Sequence, residues 1–389
     1  MNLKLTGGTL LIAGTALGAG MLAIPMVLAQ FGLLWGTVLM LLIWLGTTYA
    51  ALLLLEATIK SGGGIGMNSI ARKTLGKQGQ LLTNALLYCL VTCLMIAYIV
   101  SAGDLLRQVL GNYGLELNLL QSQILFTCIT GIFVAQGTAA VDKLNRVLFF
   151  VMLVVLTITL IYLVPNISSE NFSLVSNDSK VDLIKNSAVL FTSFGFMVVV
   201  PSVVKYNSEA THKQLRNMVV IGATIPLFCY LLWLYAVVGN LPVEQLVKFS
   251  NVSELISVLS QRYENIGPVL SLFTGLALLT SFLGVAMSLF DQNRDLFNKN
   301  KSVTFVITFM LPLMGALLAK DEFIGVLAYA GIILVFLAVF VPMAMVLKVR
   351  SNKFKDLLEE GSHYQVAGGR AALLASFTFG GFLLVSQLI

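Results

Sequence analysis

The chain has 389 residues, 58% of them hydrophobic and only 11% charged, with a formal net charge of +6. Soluble domains carry about 25% charged residues, so water is not the main solvent of this chain. The positive charge is scattered through short polar connections instead of forming one basic face, which argues against a nucleic-acid partner.

Apolar runs of roughly 18 to 25 residues recur from end to end, each long enough to cross about 30 Å of hydrocarbon. Lipid offers the backbone no hydrogen bonds, so these runs are expected as helices. Eleven spans are predicted, near 5–30, 33–58, 80–107, 121–138, 146–165, 184–205, 215–239, 266–290, 303–319, 323–347 and 370–389. The first run, Leu5 to Leu28, exceeds the roughly 7–15 residues of a secretory signal core and is read as an uncleaved helix. The fold class expected is therefore all-α integral membrane, one transmembrane domain over 1–389.

Eighteen of the 24 lysines and arginines, among them Lys4, Arg72, Lys143, Arg146, Lys213, Arg294 and Lys348, fall on one side of this topology. The other side holds Arg107, Lys180, Lys185, Lys248, Arg262 and Lys320. The positive-inside rule then predicts a cytoplasmic N-terminus and an external C-terminus.

Little points to an enzyme. Cys89, Cys93, Cys128 and Cys229 lie within apolar runs, and His212 and His363 sit in polar connections, so neither a disulfide framework nor a zinc site is expected. No HExxH, nucleophile elbow, phosphate loop or pair of catalytic carboxylates occurs.

Span 1 contains Gly14, Thr15, Gly18, Ala19 and Gly20 ahead of Pro25; span 6 contains Phe191, Thr192, Ser193, Phe194 and Gly195 ahead of Pro201. Glycine costs about 1 kcal/mol against alanine in a helix interior. Gly14 and Gly18 alone would fit a small-residue packing face. The recurrence of a Gly/Pro interruption five spans later, in a helix of opposite direction, points instead to a transporter binding site built from two broken helices. Unwound N–H groups suit a carboxylate, freed carbonyls suit an ammonium or monovalent cation, and Thr15, Thr192 and Ser193 can add hydroxyls.

At these residues, and at Leu54-Leu55-Glu56, Asp142-Lys143-Leu144-Asn145-Arg146, Thr280-Ser281-Phe282-Leu283-Gly284-Val285 and Ala328-Tyr329-Ala330-Gly331, the chain resembles the hydroxy and aromatic amino acid permeases. That resemblance covers essentially the whole chain and implies a LeuT-like fold: an inverted repeat of 1–165 and 184–348, with an additional helix at 370–389. It also implies import of an aromatic amino acid (tyrosine, tryptophan or phenylalanine) by cation symport at the bacterial inner membrane, commonly with a proton. It places the substrate backbone on Thr15, Gly18, Ala19, Gly20, Phe191, Thr192, Ser193, Phe194 and Gly195. It also suggests a sodium-type cavity of Gly14, Leu17, Ala277, Thr280 and Ser281, although Thr280 and Ser281 could equally bond back to their own helix. Two features depart from the relatives. Met197 stands where the tyrosine carriers have a histidine, and span 5 lacks the lysine some proton-coupled members place there. Serine or a branched aliphatic amino acid is the alternative substrate; a non-transporting sensor or channel is the alternative class.

Phe194, Phe282 and Tyr329 are expected to line the side-chain pocket, each stacked aromatic pair contributing about 0.5–1.5 kcal/mol. Glu56 and Asp291, near the inner ends of spans, are candidates for gating or proton relay. The partners implied are an amino acid and the bilayer, with no nucleic acid, no resident cofactor, no metal except sodium and no obligate protein partner.

Overall fold

The computed structural model describes residues 3–172, 187–249, 251–263, 266–296, 300–319, 322–351 and 364–387, and among them no strand occurs. Lys180, Lys185, Lys320, His363 and most of the connections 166–183 and 348–369 lie outside the described residues.

Span 1 is two helices, α1 (Leu3–Ala16) and α2 (Gly20–Leu28), bent by 55° at the break. A 3-10 turn leads to Gly32, whose φ of 67° is a left-handed value that glycine adopts without a Cβ penalty. Then follow α3 (Gly32–Lys60) and α4 (Met67–Gly111), the latter kinked at Gly76, where φ is 76°. Residues 67–75 thus add a helical arm to a connection that the sequence left irregular.

The first half continues with α5 (Leu119–Ala135), opened by a reciprocal Asn118–Gln121 capping box, and α6 (Thr138–Leu163). Span 6 is α7 (Ser187–Ser193), a 3-10 stretch over Gly195–Val199, and α8 (Val200–Tyr206). A second capping box, Thr211 with Gln214, starts α9 (His212–Val238). Two short helices, α10 (Val243–Leu246) and α11 (Val252–Arg262), occupy the following connection. The chain ends with α12 (Ile266–Leu296), α13 (Lys301–Ala319), α14 (Phe323–Val335), a π turn at Phe336–Phe340, α15 (Val341–Val349) and α16 (Gly369–Val385).

Among the described residues, eight helices are long and apolar enough to cross a membrane, nine if the bent pair α1–α2 is one span. The fourth and eleventh predicted spans correspond to α5 and α16, shorter apolar helices of 17 residues each. At 1.5 Å per residue each is about 26 Å long, the lower end of what spans a bilayer.

The outward faces explain the composition. Leu34, Trp35, Leu42 and Leu45 on α3, Phe150 and Ile161 on α6, and Met314 and Leu318 on α13 are all exposed on the protein surface. Apolar surface on that scale belongs against lipid. Inside, α1, α2, α3, α7, α8 and α9 pack on one another, while α4, α5, α12 and α13 form a second group, with α6 against α12. Helix α14 touches both groups, through α7 and through α4. The two breaks face each other within the first group and meet α12 of the second.

Candidate functional site

Helical bonding in span 1 ends with Leu17 N–H donating to Ala13 O at 2.9 Å. It resumes with two 3-10 bonds, Met21 N–H to Gly18 O and Leu22 N–H to Ala19 O, both 3.1 Å. Between them the Ala19 N–H is released, and it donates to Ser281 Oγ of α12 at 2.9 Å. The glycines follow from that approach. A Cβ on Gly18 would lie 2.2 Å from Ser281 Oγ, and a Cβ on Gly20 would lie 2.8 Å from the Cα of Ser193. A side chain at Gly20 would meet backbone, and one at Gly18 would have to displace the Ser281 hydroxyl.

Span 6 breaks differently. Phe194 N–H donates to Phe191 O at 3.1 Å and Phe196 N–H to Phe194 O at 2.8 Å, so the chain tightens into a 3-10 stretch and keeps much of its own bonding. Its contribution to the opposite break is one residue. The hydroxyl of Ser193 donates to Gly20 O at 2.8 Å, and the carbonyl of Ser193 turns toward α9.

There the fully buried Tyr230 hydroxyl lies 2.6 Å from Ser193 O and 2.6 Å from Ala16 O, the carbonyl that ends α1. Tyr98 of α4, also buried, is a hydrogen-bond partner of Ser281. The centre of the molecule is thus a linked set: Ala16, Gly18, Ala19 and Gly20 from one break, Ser193 from the other, and Tyr98, Tyr230 and Ser281 from three further helices. Neither Tyr98 nor Tyr230 is among the site residues expected from the sequence. The available signal was a tyrosine in mid-span, whose hydroxyl must find a polar partner away from water.

Of the predicted substrate residues, Gly18, Ala19, Gly20 and Ser193 come together. Thr15 is exposed and donates to Leu11 O of its own helix at 2.7 Å. Thr192 donates to Ala188 O at 2.9 Å and lies 3.4 Å from Leu327 O, on the side toward α14. A Cβ on Gly195 would meet only Leu334 Cδ2, at an ordinary 3.6 Å.

The aromatic rings are engaged with one another. Phe191 meets Phe379 of α16 edge-on at 5.9 Å, Phe194 meets Tyr230 at 5.0 Å, and Phe282 meets Phe126 at 5.0 Å, with Phe309 beyond. Tyr329 is 67% exposed. Leu327 and Gly331 pack toward α7, and Tyr329, two residues from each, projects from the opposite face of the helix.

The predicted cation residues are dispersed in their bonding. Thr280 donates to Leu276 O at 2.8 Å and lies 3.2 Å from Ala277 O, the back-bonded arrangement. Ser281 serves Ala19 N–H. Gly14 lies against the Phe149 ring of α6, and Leu17 and Ala277 are buried.

Glu56 is fully buried at the end of α3 and binds four donors. Lys60 Nζ reaches Oε1 at 2.9 Å, Arg350 Nε reaches Oε1 at 2.8 Å and Arg350 Nη2 reaches Oε2 at 2.6 Å, while Val366 N–H donates to Oε2 at 2.9 Å. A buried carboxylate is costly unless paired and hydrogen-bonded; here it is both. The same short segment ahead of α16 accepts a bond from Tyr49 to Ala367 O at 3.2 Å, and its Tyr364 ring rests 5.6 Å from His212. The Glu56 hydrogen bonds raise the pKa of Arg350 above the usual guanidinium value, and burial pushes the Tyr364 phenol up to about 12. Asp291 is half-exposed, 3.8 Å from Arg294.

A membrane bundle with two broken helices joined through the Ser193 and Tyr230 hydroxyls is the architecture of a secondary transporter. The fold is similar to that of MhsT in its crystal structure with L-phenylalanine (TM-score 0.63, 15% identity, covering 99% of this chain and 98% of that one), and is LeuT-like. Residues 1–387 match the tryptophan/tyrosine permease family, and the chain belongs to that family. It is an amino acid transporter, not an enzyme. It is 54% identical over 388 residues to Glutamine transporter 2 of Aliivibrio fischeri, covering 100% of both chains. It is 36% identical to Tyrosine-specific transport system 1 of Haemophilus influenzae, covering 97% of this chain and 94% of the relative.

Proposed function

We propose that the chain imports glutamine, by proton symport, across the bacterial inner membrane with its N-terminus cytoplasmic and its C-terminus external. The observation that carries the substrate class is the commitment of the rings. Phe191, Phe194 and Phe282, the residues that would stack an aromatic ligand, are each stacked on a protein ring within 5.9 Å. A small polar substrate asks less of them. Glutamine is supported further by the 54% relative named for it. The Ala19 amide, which donates to Ser281 Oγ, would exchange that partner for the substrate carboxylate, and the carbonyls at the ends of α1 and α7 would accept from its ammonium.

Proton coupling is supported by the family resemblance and by Ser281, whose oxygen already accepts the Ala19 amide. One charge moving through 100 mV yields about 2.3 kcal/mol, enough for about fiftyfold accumulation. Rocking of α1, α2, α3, α7, α8 and α9 against the rest would expose the breaks to each side in turn.

A second reading, import of an aromatic amino acid, is favoured by the family match and the 36% relative named for tyrosine. Proteoliposomes separate the two. Labelled glutamine should accumulate in sodium-free buffer under an inward proton gradient, and unlabelled tyrosine and tryptophan should compete poorly. Competition by tyrosine or tryptophan at lower concentration than glutamine would establish the second reading, and uptake that required sodium would replace the proton.

A further inference from the structure

The Tyr230 hydroxyl is wedged between two carbonyl oxygens from different broken helices, each 2.6 Å away. It is completely buried, and the Phe194 ring at 5.0 Å packs edge-on against its own. A phenol has one proton to donate. Two carbonyls turned toward each other away from water repel, and each loses hydration that only a donor or a cation can replace. Converging backbone carbonyls are also the chemistry by which proteins strip and hold monovalent cations.

Other helices could have closed this gap with a bound ion. This chain closes it with a hydroxyl on α9, four residues beyond Pro226. Ser193 adds the second half of the tie. Its carbonyl faces Tyr230 while its own hydroxyl donates to Gly20 O at 2.8 Å. The end of α1 and the start of α2 are therefore both fastened to the same residue of span 6, one directly and one through Tyr230.

We infer that Tyr230 is a positioning residue which ties the two breaks into one unit, its single neutral hydroxyl proton, shared between Ala16 O and Ser193 O, offsetting part of the carbonyl repulsion that a bound monovalent cation would otherwise offset. The tie keeps the substrate-facing backbone of both breaks in register whether or not an ion is present. For its substrate readout this inference rests on the transport reading above; its ion readout does not.

Two variants test it. Tyr230→Phe keeps the ring and its packing on Phe194 but removes the proton. Tyr230→Asn removes the ring and leaves space, with an amide oxygen, where an ion can sit. In purified protein, Tyr230→Phe is expected to bind glutamine about tenfold more weakly than wild type, in sodium and in choline chloride alike, as befits a lost buried donor. Tyr230→Asn is expected to gain a saturable rise of melting temperature in sodium over choline at equal ionic strength, beyond any rise wild type shows. Sodium should also recover part of its glutamine affinity. Glutamine affinity of Tyr230→Phe within twofold of wild type would overturn the inference. So would a Tyr230→Asn protein whose melting responds to sodium no more than wild type does, since a merely space-filling tyrosine leaves no ion site when it is removed. If wild type binds no glutamine, the substrate reading fails alone, and the melting comparison still decides the role of Tyr230.

Discussion

The two broken helices do the same job by different means. Span 1 interrupts its helix between Ala16 and Gly20, bends by 55°, and depends on other helices for part of its bonding: Ser281 takes the Ala19 amide and Ser193 serves the Gly20 carbonyl. Span 6 narrows to a 3-10 stretch and satisfies much of itself. The glycines reflect this. Gly18 and Gly20 are sites of close approach, whereas Gly195 has room for a side chain. A break held from outside needs glycine; a break held from within needs it less.

The largest effect is expected at Gly20. Its Cβ would meet backbone, the Cα of Ser193 at 2.8 Å, which cannot swing aside. Gly20→Ala should therefore cost about 1–3 kcal/mol of overpacking, about tenfold or more in substrate affinity, with insertion into the membrane unchanged. Titration of the purified variant checks this, and affinity within twofold of wild type would mean the span 1 break is looser than described.

An intermediate effect is expected at Gly18, where the obstacle is a removable side-chain atom. Gly18→Ala and Ser281→Ala should each weaken uptake. Because the first substitution clashes with the atom the second deletes, the pair should couple by about 0.5–3 kcal/mol, the double variant being less impaired than the sum. Strict additivity in a double-mutant cycle would break the link between α12 and the span 1 break.

The smallest effect is expected at Gly195. Gly195→Ala meets only Leu334 at 3.6 Å and should leave uptake kinetics within about twofold of wild type, near the level of an ordinary surface change. A loss as large as that of Gly20→Ala would put the two breaks back on an equal footing.

Much of this was legible in the sequence. Glycines and prolines inside apolar runs announce where a membrane helix cannot continue, so the locations of both breaks and the transporter class followed from local chemistry. Gly18, Ala19, Gly20 and Ser193 stand at the interruptions, and the family resemblance marks them as residues of the substrate backbone site. The neighbours of each side chain were less accessible. Phe282 and Phe194 were read as pocket rings because they flank special residues, but periodicity gives a face without giving the ring that will meet it, and both meet other rings of the protein. Tyr329 sits two residues from the packed face of its helix, an error of one half-turn. Tyr230 and Arg350 make their contacts across 214 and 294 residues, separations that carry no local trace. Glu56 stood out as an ion inside a span, yet its partners could not be chosen from among the many basic residues of the same side.

The four-donor cluster around Glu56 also bears on the order in which the chain is made. Glu56 enters the membrane early, when only Lys60, four residues on, can pair with it. Arg350 emerges 294 residues later and the Val366 amide 310 residues later. For most of synthesis the carboxylate holds a single partner in a setting where an under-paired charge is expensive. A chain that stops short of Arg350 keeps that fault, and the segment from Arg350 to Val366 closes it.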